Sequence, residues 1–488
     1  MAFTDRLHNR GSISTGYDID NSLKFEIDNS ESIVTTNQAA GNQKTWTWSG
    51  WLKRTELDGT QAFFGAGGTY IRFVSGDTLN VQQSGTSLTT NQVFRDTSAW
   101  YHVVWILDTT QSTEADRSRI YINGSQITSF SSATYPSQNA DLDVGGLGSS
   151  SNWLQLGRWY AGGRRYSGYI AEVHYLNGTV AAPTEFGEYD EDSGIWIPKE
   201  YTGGGYGTQG YYYKFDNASN LGEDSSGEGH DANSLNNVTS ANQATDTPTN
   251  NFSTFNVLHP YSSASNNNPT FTEGATRFTT ILPGYWEAAV ASMGITSGKW
   301  YFEAQPGTST SHITSIGYGD ESDIHDWGQV TADTNGFPGE GGTNSIGYLG
   351  SDTSSSYGNI HLGTGSTSNV NANYTISNIV GVAIDADNGY VYFARDNTYV
   401  NSGDPGSGAS GTGGYTFQDT TTPRTGTVFP AVGGYYHTAA TVININFGGY
   451  TTISISSAET DANGYGTFEY APPSGYYALC TKNLARFG

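Results

Sequence analysis

The chain has 488 residues, enough for two or three domains, and combines only 35% hydrophobic residues with 13% aromatics and 63 glycines. Aromatic and β-branched residues favour pleated surfaces, and glycine and asparagine supply turns, so the composition points to a large all-β protein and excludes a mostly disordered chain. A formal charge of −25 excludes non-specific binding to phosphate backbones, one cysteine (Cys480) excludes an intrachain disulfide, and no apolar run of about 18 residues is present to span a membrane.

The first 20 residues are polar, mixed in charge and without an apolar core, so they read as a disordered tail or a docking arm and not as a secretory signal. KFEIDNSE (24–31) follows, with Glu26, Asp28 and Glu31 in an E-x-D-x-x-E spacing. On a bulged strand these acids would share a face, with a nucleophile and an acid about 5 Å apart, as a retaining glycosidase requires. The same residues also read as a first strand and its polar turn, and no cleft tryptophans flank them, so catalysis is not expected. KTWTWSGWLKR (44–54), TYIRFVSG (69–76) and TLNVQQSG (78–85) read as strands. In 100–107 both alternating faces are apolar, which predicts a strand covered on both sides, and His102 reads as a hydrogen-bonded core or rim residue rather than a base. RIYINGSQI (119–127) is a hairpin turning at Asn123-Gly124.

Strands are again predicted at 152–160 and 166–178, and a short helix at 182–189 with Thr184 as its N-cap. The loop GRWYAGGRRY (157–166) sets Trp159, Tyr160 and Tyr166 beside Arg164 and Arg165. Aromatic faces stack on sugar rings, and guanidinium forks hold hydroxyls or acidic groups, so these five are candidate ligand residues; local packing or a subunit contact is the competing reading. GYYYKFD (210–216) is a strand expected to pack back on the first sandwich, and SNNNP (265–269) marks a boundary.

Further strands are read at 297–304, 315–320, 344–352, 378–397, 427–436 and 441–448. ESDIHDWGQ (321–329) adds Asp326 and Trp327 as candidate ligand residues. DADNG (385–389) has calcium-like spacing but runs straight into a strand, which favours a hairpin turn. GEDSSGEGHD (222–231) is the better cation candidate, through Asp224, Glu228 and Asp231. No cofactor is otherwise expected, since phosphate-binding, nucleophile-elbow and zinc-protease motifs are absent.

SAWYHVVWILD, RIYINGSQI and GYIAEVHYLNG resemble the laminin-G-like branch of the concanavalin A-like jelly rolls. The stretch 21–252 is similar to a type found in virion proteins of marine bacteriophages. Gly298, Lys299, Trp300, Tyr301 and Glu303, with Gly317, Gly319, Val382, Ala383, Asp385, Gly389, Val391, Phe393, Phe429, Pro430, Phe447 and Gly448, resemble the SPRY family. The long insert 402–426 departs from that family and would remodel its binding edge. The two resemblances imply two antiparallel β-sandwiches: an arm (1–20), a jelly roll with a C-terminal extension (21–252), a linker (253–272) and a SPRY-like sandwich (273–488).

They further imply a tail or capsid fibre of a phage particle, made in the bacterial cytoplasm, attached to other virion proteins through the arm and oligomeric, with a trimer as one form. It would contact host-surface glycan or protein, without nucleic acid or membrane insertion. A capsid decoration protein and a jelly-roll glycoside hydrolase are the alternatives. Fold alone does not choose among them.

Overall fold

Strand Trp100–Asp108 explains its own composition. Every residue in it is buried except the half-buried Tyr101. Val103, Trp105 and Leu107 face a core that includes Leu79, Val81 and Leu88. Val104 and Ile106 point the other way and are covered by Leu176, Ala181 and Phe186. Full burial contributes roughly 1.5–3 kcal/mol for each aliphatic side chain, so both faces hold this strand at the centre. Trp46 meets Trp105 edge to face at 4.6 Å.

The structure is a computed structural model. It describes residues 16–35, 41–142, 144, 154–159, 164–259, 261–262, 268–307, 312–320, 324, 336–340, 344–352, 357–363, 366–417 and 426–488. The chain is all-β in architecture and divides into two units, at Asn251/Phe252.

In the N-terminal unit, one sheet runs Ser125–Gln126, Ser118–Ile122, Trp100–Asp108, Thr45–Arg54, Gly168–Asn177, Ser22–Phe25 and Gln243–Ala244. Tyr211–Tyr213 also pairs with Gly168–Asn177, as expected for a strand returning to the first sandwich. The second sheet runs Phe130–Thr134, Thr86–Val93, Thr78–Gln83, Thr69–Val74, Gln61–Ala66, Leu154–Leu156, Ser32–Thr35 and Ser234–Asn236. The core lies between them. Lys53, fully buried, is paired with Asp246 at 2.7 Å, and Asp246 also accepts from Trp100 Nε1. A buried charge is tolerated only when partnered in this way. The described end of the arm belongs to this unit: Ile19 is buried, and its backbone exchanges hydrogen bonds with the Thr249 hydroxyl. Residues 1–15 lie outside the described residues.

The C-terminal unit pairs a seven-stranded sheet, including Trp286–Val290, Val428–Tyr436 and His312–Asp320, with a nine-stranded one, including Val442–Asn446, Lys299–Pro306, Val380–Asp385 and Tyr390–Arg395. Trp300, Phe302, Tyr348, Phe393 and Phe447 lie in its core.

Two expectations are corrected. The segment 182–189 is not a helix: a single 3-10 turn, Pro183–Glu185, with Ala182 at the N-cap, is followed by strand Gly187–Tyr189. The segment 253–272 is not a free linker: Phe255 is buried in the C-terminal core and bridges to Ala291, and Thr270–Thr272 pairs with Arg277–Thr279. The chain also ends in a helix, Thr481–Phe487, that the sequence reading did not anticipate. Of the 402–426 insert, the first part folds onto the unit, with Asp404 capping the Pro405–Ser410 turn and Tyr476 donating to Pro405 O at 3.2 Å; 418–425 lie outside the described residues.

Candidate ligand-binding site

The second sheet of the N-terminal unit turns Ile71, Phe73, Leu79, Val81 and Leu88 inward. Alternation then sends their neighbours outward. The register aligns those neighbours in two rows across the strands. One row is Ser132, Thr89, Asn80, Arg72 and Ala62; the other is Thr134, Ser87, Gln82, Tyr70 and Gly65. Hydrogen bonds lace the rows: Arg72 Nε donates to Asn80 Oδ1 at 3.0 Å, Asn80 Nδ2 donates to Thr89 Oγ1 at 3.0 Å, and Tyr70 donates to Gln82.

A two-stranded ribbon, Arg158–Trp159 against Arg164–Arg165, lies over this face. Trp159 rests on Gly65, where a Cβ would come 2.9 Å from its ring and 3.0 Å from its Cα. Its Nε1 donates to Gly67 O at 2.7 Å, and its ring meets Tyr70 at 4.6 Å. Arg72 lies 4.3 Å from the Tyr70 ring centre and 6.0 Å from that of Trp159; Arg164 lies 5.9 Å from Trp159. Burial lowers the Arg72 pKa, and the nearby Arg164 charge adds to this while Tyr70 opposes it. The result is a half-buried indole braced by the buried Tyr70, flanked by two guanidiniums and continued by rows in which Gln82, Ser87 and Thr89 are half-buried and Asn80 is buried. Such a surface can stack on a ring and hydrogen-bond its substituents.

Of the residues named from sequence, the structure brings together Trp159 and Arg164, with Arg165 on the same ribbon. Tyr166 is corrected: it is fully buried, donates to Lys53 O at 2.8 Å and packs against Phe63, so it supports the core rather than a ligand. Tyr160, Asp326 and Trp327 lie outside the described residues. Tyr70, Arg72, Asn80 and Gln82 are not among the residues named from sequence, where 69–76 and 78–85 read only as strands. The available signal was the Y-x-R and N-x-Q alternation opposite Ile71, Phe73, Leu79 and Val81.

The acidic candidates sit otherwise. Glu26 and Glu31 are buried and Asp28 is exposed. Glu31 pairs with Lys24 at 3.1 Å and accepts from the Glu26 backbone N–H at 2.6 Å, closing its own turn. Asp224 accepts from the backbone N–H groups of Tyr212, Ser226 and His230, and Asp231 accepts from that of Asp224, so the oxygens a calcium ion would need already hold the 222–231 loop. Asp385 accepts from Lys299 and Asn388 and closes the hairpin. Among the described residues, no group of three or more His, Cys, Asp or Glu side chains is placed to hold a metal. An open groove of about 600 Å³ beside Tyr17 is lined by Glu188, Asp190, Glu191, Asp192 and Glu200, with Lys199 as its cation.

Residues 28–184 match the Laminin_G_3 family, the concanavalin A-like lectin/glucanases superfamily, and residues 299–450 match the SPRY domain family. Each match covers about a third of the chain, the laminin-G-type one in the N-terminal unit and the SPRY one in the C-terminal unit. Similar solved structures include a "putative carbohydrate binding protein" from Bacteroides ovatus ATCC 8483, 17% identical, with 45% of this chain and 59% of that one covered and a TM-score of 0.34. The SPRY domain of human HERC1 is 13% identical, with 39% and 96% covered and a TM-score of 0.27. Mouse laminin alpha1 chain domains LG4-5 are 10% identical, with 86% and 82% covered and a TM-score of 0.29. No curated protein matches.

Proposed function

We propose that this protein is a non-catalytic adhesin that binds glycan through the outer face of the second N-terminal sheet. One observation carries the reading: Trp159 is seated on the side-chain-free Gly65 beside Tyr70, at the head of two rows of polar side chains. A rigid ring with nearby amides and hydroxyls is complementary to a sugar's apolar face and hydroxyl rim. The burial of Glu26 and Glu31 supports a role without catalysis. The resemblance of 21–252 to domains of marine phage virion proteins supports placing the protein on a bacteriophage particle, as a tail or capsid fibre made in the bacterial cytoplasm. There the arm (1–20) would join other virion proteins and the sandwich would meet the host surface. An oligomer, with a trimer as one form, would add avidity of ~10²–10⁴ over single sites.

The test is binding of the purified protein to host-surface polysaccharide and to intact cells. Trp159→Ala is expected to weaken binding roughly tenfold, the loss of a well-packed aromatic contact. Gly65→Val, which unseats the ring, should do the same. Undiminished binding by both variants would remove the site. Release of reducing ends, abolished by Glu26→Gln, would replace the adhesin with an enzyme.

A further inference from the structure

Positive charge is scarce in this chain: 21 basic residues stand against 46 acidic ones. Four of the 21 nevertheless gather at one place. Arg158 and Arg165 stand directly opposite each other in the ribbon, Arg164 stands opposite Trp159, and Arg72 reaches the same indole from the sheet below. Like charges directly opposite on paired strands are unfavourable unless carboxylates neutralise them. Among the described residues, no carboxylate is paired with Arg72, Arg164 or Arg165. In the same unit Arg54 and Arg95 both meet Asp77, at 3.1 and 3.0 Å, and Arg117 is held by the carbonyls of Gln111, Ser112 and Pro136.

Arg72 is also held in place. Its Nε bonds Asn80, its guanidinium lies over Tyr70, and Asn80 is in turn tied to the next strand. An arginine ordered in this way gives up little conformational freedom when an anion arrives. Both guanidiniums flank the ring on which a sugar would stack.

We propose that the ligand is an anionic glycan, its carboxylate or sulfate groups held by Arg72 and Arg164 while a sugar ring packs on Trp159. This rests on the glycan reading above and specifies its chemistry. Charge-assisted bonds from guanidinium to an oxyanion are roughly twice as strong as neutral ones, so anionic groups would dominate selectivity.

The experiment compares matched polymers that differ only in charge: dextran against dextran sulfate, and methyl-esterified against de-esterified polygalacturonate. The full-length protein, Arg72→Gln/Arg164→Gln, Trp159→Ala and the charge-matched control Lys44→Gln/Lys199→Gln are measured at low and physiological salt. Lys44 is half-buried, Lys199 is exposed, and both are distant in sequence from the ribbon. The proposal expects the wild type and the lysine control to prefer at least one charged polymer about tenfold over its neutral partner. The double arginine variant should lose that preference, while Trp159→Ala weakens charged and neutral binding alike. Preference for the sulfated or for the de-esterified polymer tells sulfate from carboxylate.

Equal binding of charged and neutral partners by the wild type, or a charge preference that survives in the double arginine variant, would overturn the anionic assignment and leave the glycan platform standing. Binding to none of the four polymers, with none to deproteinised host polysaccharide, would end both. Circular dichroism of each variant checks that a loss is not a failure to fold.

Discussion

His102 stands between two indoles, its ring 4.7 Å from Trp51 and 6.0 Å from Trp196, and is wholly buried. Trp196 Nε1 donates to its Nδ1 at 3.1 Å, so Nε2 carries the proton and donates to the Ser49 hydroxyl at 2.8 Å. Burial, aided by the proximity of His174, lowers its pKa from 6.5 to about 3. The folded pKa therefore lies below the unfolded one. Above pH 6.5 neither state binds the proton and stability has its full value. Between 6.5 and 3 only the unfolded state takes it up, so acid removes about 1.4 kcal/mol per pH unit for this residue. His174, also lowered by burial, acts in the same direction. We predict that His102→Phe costs about 1–3 kcal/mol at pH 7.5, because Trp196 and Ser49 lose their partner. Its stability should then fall less steeply than that of the wild type between pH 6.5 and 5. Urea titrations at several pH values measure this, and parallel slopes for the two proteins would refute it. The apolar alternation of 100–107 is grounds for a core or rim histidine here. It could not show the tryptophan that bonds it, because Trp196 is 94 residues away.

At the scale of elements, the same tryptophan decides two local conformations. Asn123 and Gly124 both have positive φ, as a tight type I′ hairpin turn demands. A Cβ on Gly124 would lie 2.4 Å from the Trp196 ring, and one on Gly187 would lie 2.6 Å from it. Gly124→Ala is therefore expected to lose about 1–3 kcal/mol, from left-handed strain and from displacement of the indole; the midpoint of chemical denaturation reports it, and an unchanged midpoint would count against this packing. Packing of this kind also explains the missing helix at 182–189. Pro183 starts a turn, but Gly187–Tyr189 pairs with Trp196–Pro198, and that pair sets Trp196 on His102 of the sheet. Local propensity favoured a helix start, and a non-local strand pair overrode it. Elements with strong alternation or an Asn-Gly turn were legible, including 45–54, 69–74, 100–108 and 380–395. The bulge in Gly168–Asn177 was not: it puts Glu172 at positive φ, where its carboxylate accepts from the Tyr17 and Tyr212 hydroxyls.

Across the molecule the two units follow one plan. Each is a sandwich in which one sheet is covered on its outer side by later chain. In the N-terminal unit Ala181, Phe186 and Trp196 cover the sheet that holds Trp100–Asp108. In the C-terminal unit Phe468, Tyr476 and Cys480 pack on Tyr301, Ala383 and Tyr392 of the nine-stranded sheet. The N-terminal cover lies over the first sheet, and the candidate platform lies on the second. The cores are separate, one built from residues before 252 and the other from residues after it. Residues 12–251 and 252–488, expressed apart, are expected each to unfold in a single cooperative transition by calorimetry, and the N-terminal piece should retain the polysaccharide affinity of the whole chain. Loss of cooperativity in either piece, or of affinity in the first, would show that the division is not a functional one.

Composition, alternation and turn residues by themselves determined an all-β chain, two sandwiches and most of the strands, and they singled out one half of the candidate site, the Trp159–Arg164 ribbon. These follow from local rules, in which each residue's preference is set by near neighbours and a period of two. Only the tertiary structure decided what that ribbon lies on, that Tyr166 belongs to the core, and that Tyr70 and Arg72 complete the platform. Those outcomes depend on which strands pair and in what register. Register joins Gly65, Tyr70, Gln82 and Ser87 into one row only once the sheet exists, and a shift of one residue would have turned every one of them inward.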